Sequence, residues 1–223
     1  MTVAFVDLDR TLIDVNSGRL WMRHEWAAGH LGWVDAALAS WWLFRYALGD
    51  DDLVHALDRA ASVYAGQDEA TLAARIDAWF DADVAPRARP GALAAIDAHR
   101  AAGDRVVLAT SSSQFAAARA RATWRLDDAI STRIEVRDGV VTGAVAQYGF
   151  GRHKLDACAA WASARGVNLA ECAFYTDSYS DLTLLEAVGR PVVVHPDRRL
   201  ARVAHARGWP VLDWGVSAME SPR

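Results

Sequence analysis

Hydrophobic residues change their spacing along the chain. Residues 3–6, VAFV, form a short continuous apolar run that Asp7 and Asp9 end abruptly, and a run of that length bounded by polar residues reads as a buried strand. From Leu20 to Phe80 the spacing becomes three, four and seven, as in Leu31, Val34, Leu38, Trp41, Trp42 and Leu48. With Gly29, Gly32, Gly49 and Gly66 as punctuation, this predicts an all-helical insert. After PRARPG, residues 86–91, helical and strand patterns alternate. The chain predicts a helix near 92–102, a Gly103-Asp104 turn, a strand in RVVLAT and a helix from about Gln114. IEVRDGVVTGAVAQ reads as a hairpin turning at Asp138-Gly139. A helix from about Lys154 to Arg165, a strand in CAFYT, a helix near Asp181 to Val188 and a short strand in PVVVH complete the pattern. Strands separated by helices of this length predict an α/β fold with a parallel sheet. The core then comprises residues 1–15 and 88–216, the helical insert 16–87, and a frayed tail 217–223.

At 223 residues, 52% of them hydrophobic and 23% charged, the chain can bury a full core, as one large domain or a domain with a smaller companion. A formal net charge of −4 offers no basic field, so small molecules are expected as partners rather than nucleic acid. Cys158 and Cys172 sit in no CxxC or Cys/His cluster and are expected to be core thiols in a reducing compartment. Met1-Thr2 runs straight into a strand carrying acids, without a basic leader, so the cytoplasm is the expected location.

In a parallel sheet, ligands bind beyond the carboxyl ends of the strands. Three predicted strands end there in polar residues: Asp7 and Asp9 after the first, Thr110 to Ser113 after RVVLA, and Asp177 to Asp181 after CAFYT. Carboxylates gathered at one rim repel each other unless a cation sits among them, and Mg²⁺ suits such hard oxygen donors. Taken singly, each piece has a plainer reading: DxD as a loop turn, DSYSD as a helix cap.

Together these residues resemble the haloacid dehalogenase superfamily of phosphohydrolases. DLDRTL is similar to its first motif, DxDx(T/V), VVLATSS to its second, Lys154 in GFGRHKLDA to its third, and YTDSYSDLTLLEAVGRPVVVHPD to its fourth. The insert after the first motif, the EVRDGVVTG hairpin and the tail HARGWPVLDW resemble the phosphoserine-phosphatase-like branch, which includes histidinol-phosphate phosphatases. The resemblance implies a Rossmann-like core with a helical cap inserted after the first strand, and a Mg²⁺-dependent phosphomonoesterase acting on a small molecule. It implies Asp7 as nucleophile and Asp9 as general acid and base, with strand alternation pointing both the same way. Asp7, the Asp9 main-chain carbonyl and Asp177 would hold Mg²⁺, with Asp181 supporting the metal or orienting Lys154. Thr110, Ser111 and Lys154 would bind phosphate.

The chain also departs from that pattern. Arg10 stands where the family commonly has Gly, and Tyr179-Ser180 replaces the Gly/Asn type of the fourth motif. Asn16 occupies the place of an acid that receives a substrate ammonium group, and Asp14 lies two residues earlier. Arg10 and Asn16 are therefore candidate specificity residues. Phosphoserine is expected to be a poor substrate, and histidinol phosphate is the best single guess. Six of the ten tryptophans, Trp21, Trp26, Trp33, Trp41, Trp42 and Trp79, lie in the insert. Asp35 and Arg45 leave a charge-free run of nine residues, against the roughly 20 a membrane span requires. The tryptophans are expected to form the cap's own core and one wall of the pocket, rather than an interfacial helix. The alternative function is a non-catalytic or weakly catalytic phospho-ligand or membrane-surface module on the same fold. Retention of both Asp7 and Asp9 argues against it, because a binding protein has no chemical use for the pair.

Overall fold

The computed structural model describes residues 2–30 and 53–218. The strands are β1 (Val3–Val6), β2 (Arg105–Ser113), β3 (Asp128–Arg137), β4 (Val140–Gln147), β5 (Ala173–Thr176), β6 (Arg190–Val194) and β7 (Val211–Leu212). They form one sheet in the order β4-β3-β2-β1-β5-β6-β7. Every pairing is parallel except that of β3 with β4. The described helices are α1 (Ser17–Ala27), α2 (Leu53–Ser62), α3 (Glu69–Trp79), α4 (Pro90–Ala101), α5 (Gln114–Thr123), α6 (Gly151–Ser163), α7 (Leu182–Ala187) and α8 (Arg198–Arg207).

Strand β1 lies at the centre with both faces covered, so its apolar run is continuous rather than alternating. Val6, Val106 and Leu108 pack on one face with Phe115 of α5 and with Leu72, Ile76 and Trp79 of α3. Val3, Phe5, Val107 and Ala109 pack on the other face with Cys158 of α6, Leu184 and Leu185 of α7, and Leu200 of α8. Both thiols are free and buried.

Residues 12–14 and 87–89, on either side of the segment between them, lie side by side. Ile13 bridges Ala88, Asp14 N–H donates to the Arg87 carbonyl at 3.1 Å, and Arg89 N–H donates to the Leu12 carbonyl at 2.9 Å. An aromatic chain links the insert to the core: Trp21 lies 5.0 Å from Trp79, Trp79 6.2 Å from Phe80, and Phe80 5.6 Å from Trp124, all edge to face. Trp26 is exposed. Gly32, Gly49, the apolar series from Leu31 to Leu48 and the tryptophans at 33, 41 and 42 lie outside the described residues, as do residues 219–223. Among the described residues no helix is long and apolar enough to cross a membrane.

The hairpin turns as expected, with Asp138 at φ 50° and Gly139 at φ 76°, the left-handed pair that a tight type I′ turn requires. Its first strand begins at Asp128, before the predicted hairpin, and pairs parallel to β2 from Val107↔Asp128 before turning to meet β4. Helix α8 and strand β7 were not predicted. The signals for the helix are nevertheless local: the Asp197 carboxylate accepts from Arg199 and Leu200 N–H at 2.8 and 2.9 Å, and Gly208 ends the helix at φ 65°.

Candidate active site

Strand β1 ends at Val6, one residue before the first acid. Asp7 is held beyond it by its own N–H, which donates to the Tyr175 carbonyl of β5 at 2.9 Å. Leu8 turns into the core while Asp7 and Asp9 line a cavity of about 100 Å³ beyond the strand ends. Asp177 and Asp181 arrive after β5, and Lys154 from the first turn of α6. Ser111, from the end of β2, closes the wall, and Arg10, Asn16 and Arg19 also line it.

At the floor, the Lys154 ammonium donates to Asp7 Oδ1 at 3.0 Å and to Asp181 Oδ2 at 2.8 Å, and Lys154 is only 3% exposed. Thr176 Oγ1 donates to the same Asp181 oxygen at 2.7 Å. Asp181 therefore does not cap α7 with its side chain, because its carboxylate is turned to Lys154. The 177–181 loop is braced from the far end of the fourth motif: Tyr179 N–H donates to Asp197 Oδ2 at 2.7 Å, and Asp197 N–H donates to the Asp177 carbonyl at 2.8 Å. Tyr179 itself lies under the Arg199 guanidinium, 4.1 Å from its ring centre, whereas Ser180 faces the cavity.

At the mouth, Asp9 Oδ1 accepts from Ser17 N–H at 2.6 Å, the first residue of α1, and Oδ2 accepts from Ser112 Oγ at 3.4 Å. Asn16 caps that helix, its Oδ1 accepting from Arg19 N–H at 2.9 Å. Arg10 adopts φ 57°, ψ −3°, a left-handed conformation that costs a side-chain-bearing residue about 1 kcal/mol and that Gly would accept freely. Its N–H donates to the Val15 carbonyl, and its own carbonyl accepts from Arg89 Nε at 3.3 Å. Thr110 lies one step behind the wall that Ser111 forms, buried, with Oγ1 accepting from Ser112 N–H at 3.1 Å.

Loop 149–151 sets the Lys154 position through a close backbone approach. A Cβ on Gly149 would lie 2.3 Å from the Thr110 carbonyl oxygen and 2.7 Å from Thr132 N. Gly149 N–H donates to Thr132 Oγ1 at 3.0 Å, and that hydroxyl donates to the Ser111 carbonyl at 2.8 Å, so β2, β3 and the loop are stitched together. Gly149→Ala is expected to destabilise the fold by about 1–3 kcal/mol, the usual range for overpacking. It should also lower phosphate release by displacing Lys154; a denaturant midpoint and a steady-state assay on the same preparation check both.

The electrostatics follow from crowding. Burial is the largest influence on Asp7 and pushes its pKa up to about 7; Lys154 pulls it down, while Asp181 and Asp9 push it up. Burial and the Asp7 charge hold the Asp177 carboxyl well above the usual range, and Arg10 partly opposes them. Burial likewise raises Asp9 against the hydrogen bonds from Ser17. Burial disfavours the Lys154 charge, but Asp181 and Asp7 more than offset this and hold it firmly protonated.

Four carboxylates share this cavity with Lys154, Arg10 and Arg19, so acids still outnumber cations. Asp181 Oδ1 is buried without a hydrogen-bond partner among the described residues, an orphaned acceptor of the kind a bound ion or its water shell satisfies. The donors are all hard oxygens, which suits Mg²⁺. Among the described residues no three His, Cys, Asp or Glu side chains form a ready-made metal cage.

A profile of the haloacid dehalogenase-like hydrolase family matches residues 4–186, and the chain belongs to that family. It is an enzyme of the phosphatase type found there. A probable phosphatase of Mycobacterium tuberculosis is 35% identical over 96% of this chain and 75% of its own length. A histidinol-phosphatase of Neisseria meningitidis is 27% identical over 95% of this chain and 98% of its own. Among solved structures, a Bordetella pertussis protein of unknown function superposes with a TM-score of 0.88 at 30% identity, covering 96% of this chain and 99% of that one.

Ser17, Ser112, Thr176, Gly149 and Asp197 were not singled out by sequence reasoning. The TSSS run and the GFG of the third motif contained Ser112 and Gly149. Ser17 holds Asp9 through its main-chain N–H, which leaves no signal in residue type, while its hydroxyl meets Ser112 Oγ at 3.0 Å.

Proposed function

We propose that the chain hydrolyses a small-molecule phosphate monoester with Mg²⁺, through an aspartyl-phosphate on Asp7. The observation that carries this reading is the pairing of Asp7 with Lys154 at the cavity floor while Asp9 stands separately at its mouth. Lys154 fixes one Asp7 oxygen and balances charge as the phosphate dianion approaches. An Asp7 carboxylate oxygen attacks phosphorus, and the bond from phosphorus to the ester oxygen breaks. Asp9, whose raised pKa favours retention of a proton, gives that proton to the departing alkoxide. Asp9, now ionised, then takes a proton from water as that water attacks phosphorus, and the bond to Asp7 breaks to release phosphate. Ser111 and nearby main-chain N–H groups would receive the phosphate oxygens, with Thr110 holding the turn behind them. Mg²⁺, held by Asp7, the Asp9 carbonyl and Asp177 with support from Asp181, would neutralise charge between nucleophile and phosphate. Two free buried thiols agree with action in a reducing cytoplasm.

Chelation is expected to silence phosphate release and Mg²⁺ to restore it. Ca²⁺ should substitute poorly, because its larger and looser coordination shell misaligns attack. Full activity in excess EDTA would overturn the metal assignment.

A further inference from the structure

A second cavity of about 220 Å³ adjoins the acidic one, and Asp9, Asn16 and Ser111 belong to both walls. Beyond those shared residues the lining turns apolar, with Leu72, Ile76, Phe115 and Ile134 facing Trp21 and Trp79. Small residues, Gly18, Ala60, Ala61 and Ala116, keep the space open. Among the described lining residues, Tyr64 is the only ionisable group besides Asp9. Its hydroxyl accepts from Trp21 Nε1 at 2.7 Å, and burial raises its pKa to about 12, so it stays neutral. Two described acids of this region have partners outside the cavity. The buried Glu25 pairs with Arg75 at 3.2 Å and His30 at 3.1 Å, and Asp14 Oδ2 accepts from Ser217 N–H at 2.8 Å; neither lines the cavity.

An ester bound with its phosphate on Lys154 and its bridging oxygen at Asp9 extends its alcohol into this second cavity. Resting on the phosphatase reading above, we propose that the leaving alcohol is uncharged and apolar beyond its first carbons: an aryl or branched-alkyl group rather than an amino alcohol. A dry cavity of about 150 Å³ takes up benzene, so this one has room for a phenylethyl group or a branched chain of similar bulk. Among the described lining residues a charged amine finds no carboxylate beyond Asp9, and an amine that leaves water without a partner is strongly penalised. The same wall argues against histidinol phosphate, the substrate favoured from sequence, as well as phosphoserine, because each carries an ammonium group.

The test compares wild-type enzyme with Mg²⁺ on acetyl phosphate, 2-phenylethyl phosphate, 2-aminoethyl phosphate, histidinol phosphate and phosphoserine. The phenylethyl ester is expected to exceed each of the three amines at least a hundredfold in kcat/KM, mostly through KM. Acetyl phosphate barely enters the second cavity and reports the chemistry alone. If it is hydrolysed while the phenylethyl and amine esters fall within tenfold of one another, or an amine leads, the apolar-pocket inference is overturned and the phosphatase reading stands. If acetyl phosphate and all four esters are untouched, both are overturned. As a reading independent of turnover, 2-phenylethylphosphonate should change the tryptophan fluorescence at concentrations where 2-aminoethylphosphonate does not, since Trp21 and Trp79 line the cavity. Equal responses would overturn the inference. Ala61→Phe, which fills the cavity, should weaken phenylethylphosphonate binding tenfold or more; unchanged binding in a folded variant would place that ligand elsewhere.

Discussion

Asp7→Asn is expected to abolish phosphate release, with a loss of at least about ten-thousandfold, or about 5.4 kcal/mol of transition-state stabilisation. The amide is a poor nucleophile and a weaker ligand for a hard cation. The fold should not suffer. Asp7 titrates at about 7 in the folded chain against 3.8 for an ordinary Asp, so folding favours its protonated form, and its charge costs stability at neutral pH. Asn removes that cost, while Lys154 keeps its bond to Asp181 at 2.8 Å. The thermal midpoint without metal is therefore expected to stay level or rise as activity disappears, the usual exchange at a site built for chemistry. Turnover above about a hundredth of wild type, a deficit under about 2.7 kcal/mol, would remove Asp7 from the nucleophile's place.

Lys154→Met should produce the largest loss of stability. It takes the ammonium from between Asp7 and Asp181, to which it donates at 3.0 and 2.8 Å, and leaves buried carboxylates facing one another. Breaking a buried pair in this way costs about 3–5 kcal/mol, measurable as a shift in denaturant midpoint in chelator. The penalty should depend on pH. Asp7 is already raised to about 7 with Lys154 in place, and losing the cation raises it further. The folded variant then holds protons that the unfolded chain, with its ordinary Asp value, has released. Its stability accordingly rises as pH falls from about 8 to about 5. Asp181→Asn in the same background should recover part of the loss. Equal destabilisation at both pH values, or no recovery, would contradict the charge account.

Much of the fold was legible because burial leaves a pattern. VAFV reads as a central strand since both of its faces are covered, and Asp138-Gly139 reads as a turn since few other pairs accept two left-handed residues. Strand β7 was not legible: it spans two residues, too short to carry a period. The acids of the site were visible as the polar endings of two strands, and its hydroxyls as the ending of a third. Their division of labour was not. That Lys154 joins Asp7 to Asp181 depends on α6 meeting two strand ends, and that a main-chain N–H at Ser17 holds Asp9 depends on where α1 begins, which Asn16 sets as the helix cap. Arg10 looked like a substrate contact or a bystander; its left-handed backbone is a property no residue type announces. The apolar cavity was foreshadowed by the tryptophans of the insert, but only the meeting of α1, α3 and β2 shows that Trp21 and Trp79 line a space reaching Asp9.

The central claim is a covalent phosphoryl group on Asp7. Incubating the Asp9→Asn variant with Mg²⁺ and acetyl phosphate, quenching in acid and mapping the peptides by mass spectrometry tests it most directly. Acetate is a good leaving group and needs little help from an acid, whereas the amide at position 9 cannot activate water for the second step. One phosphoryl group on the peptide containing VAFVDLDRTLID, labile to hydroxylamine and assigned to Asp7, is the expected result. An unmodified chain that still releases phosphate from acetyl phosphate, or a phosphoryl group on any other residue, would contradict it.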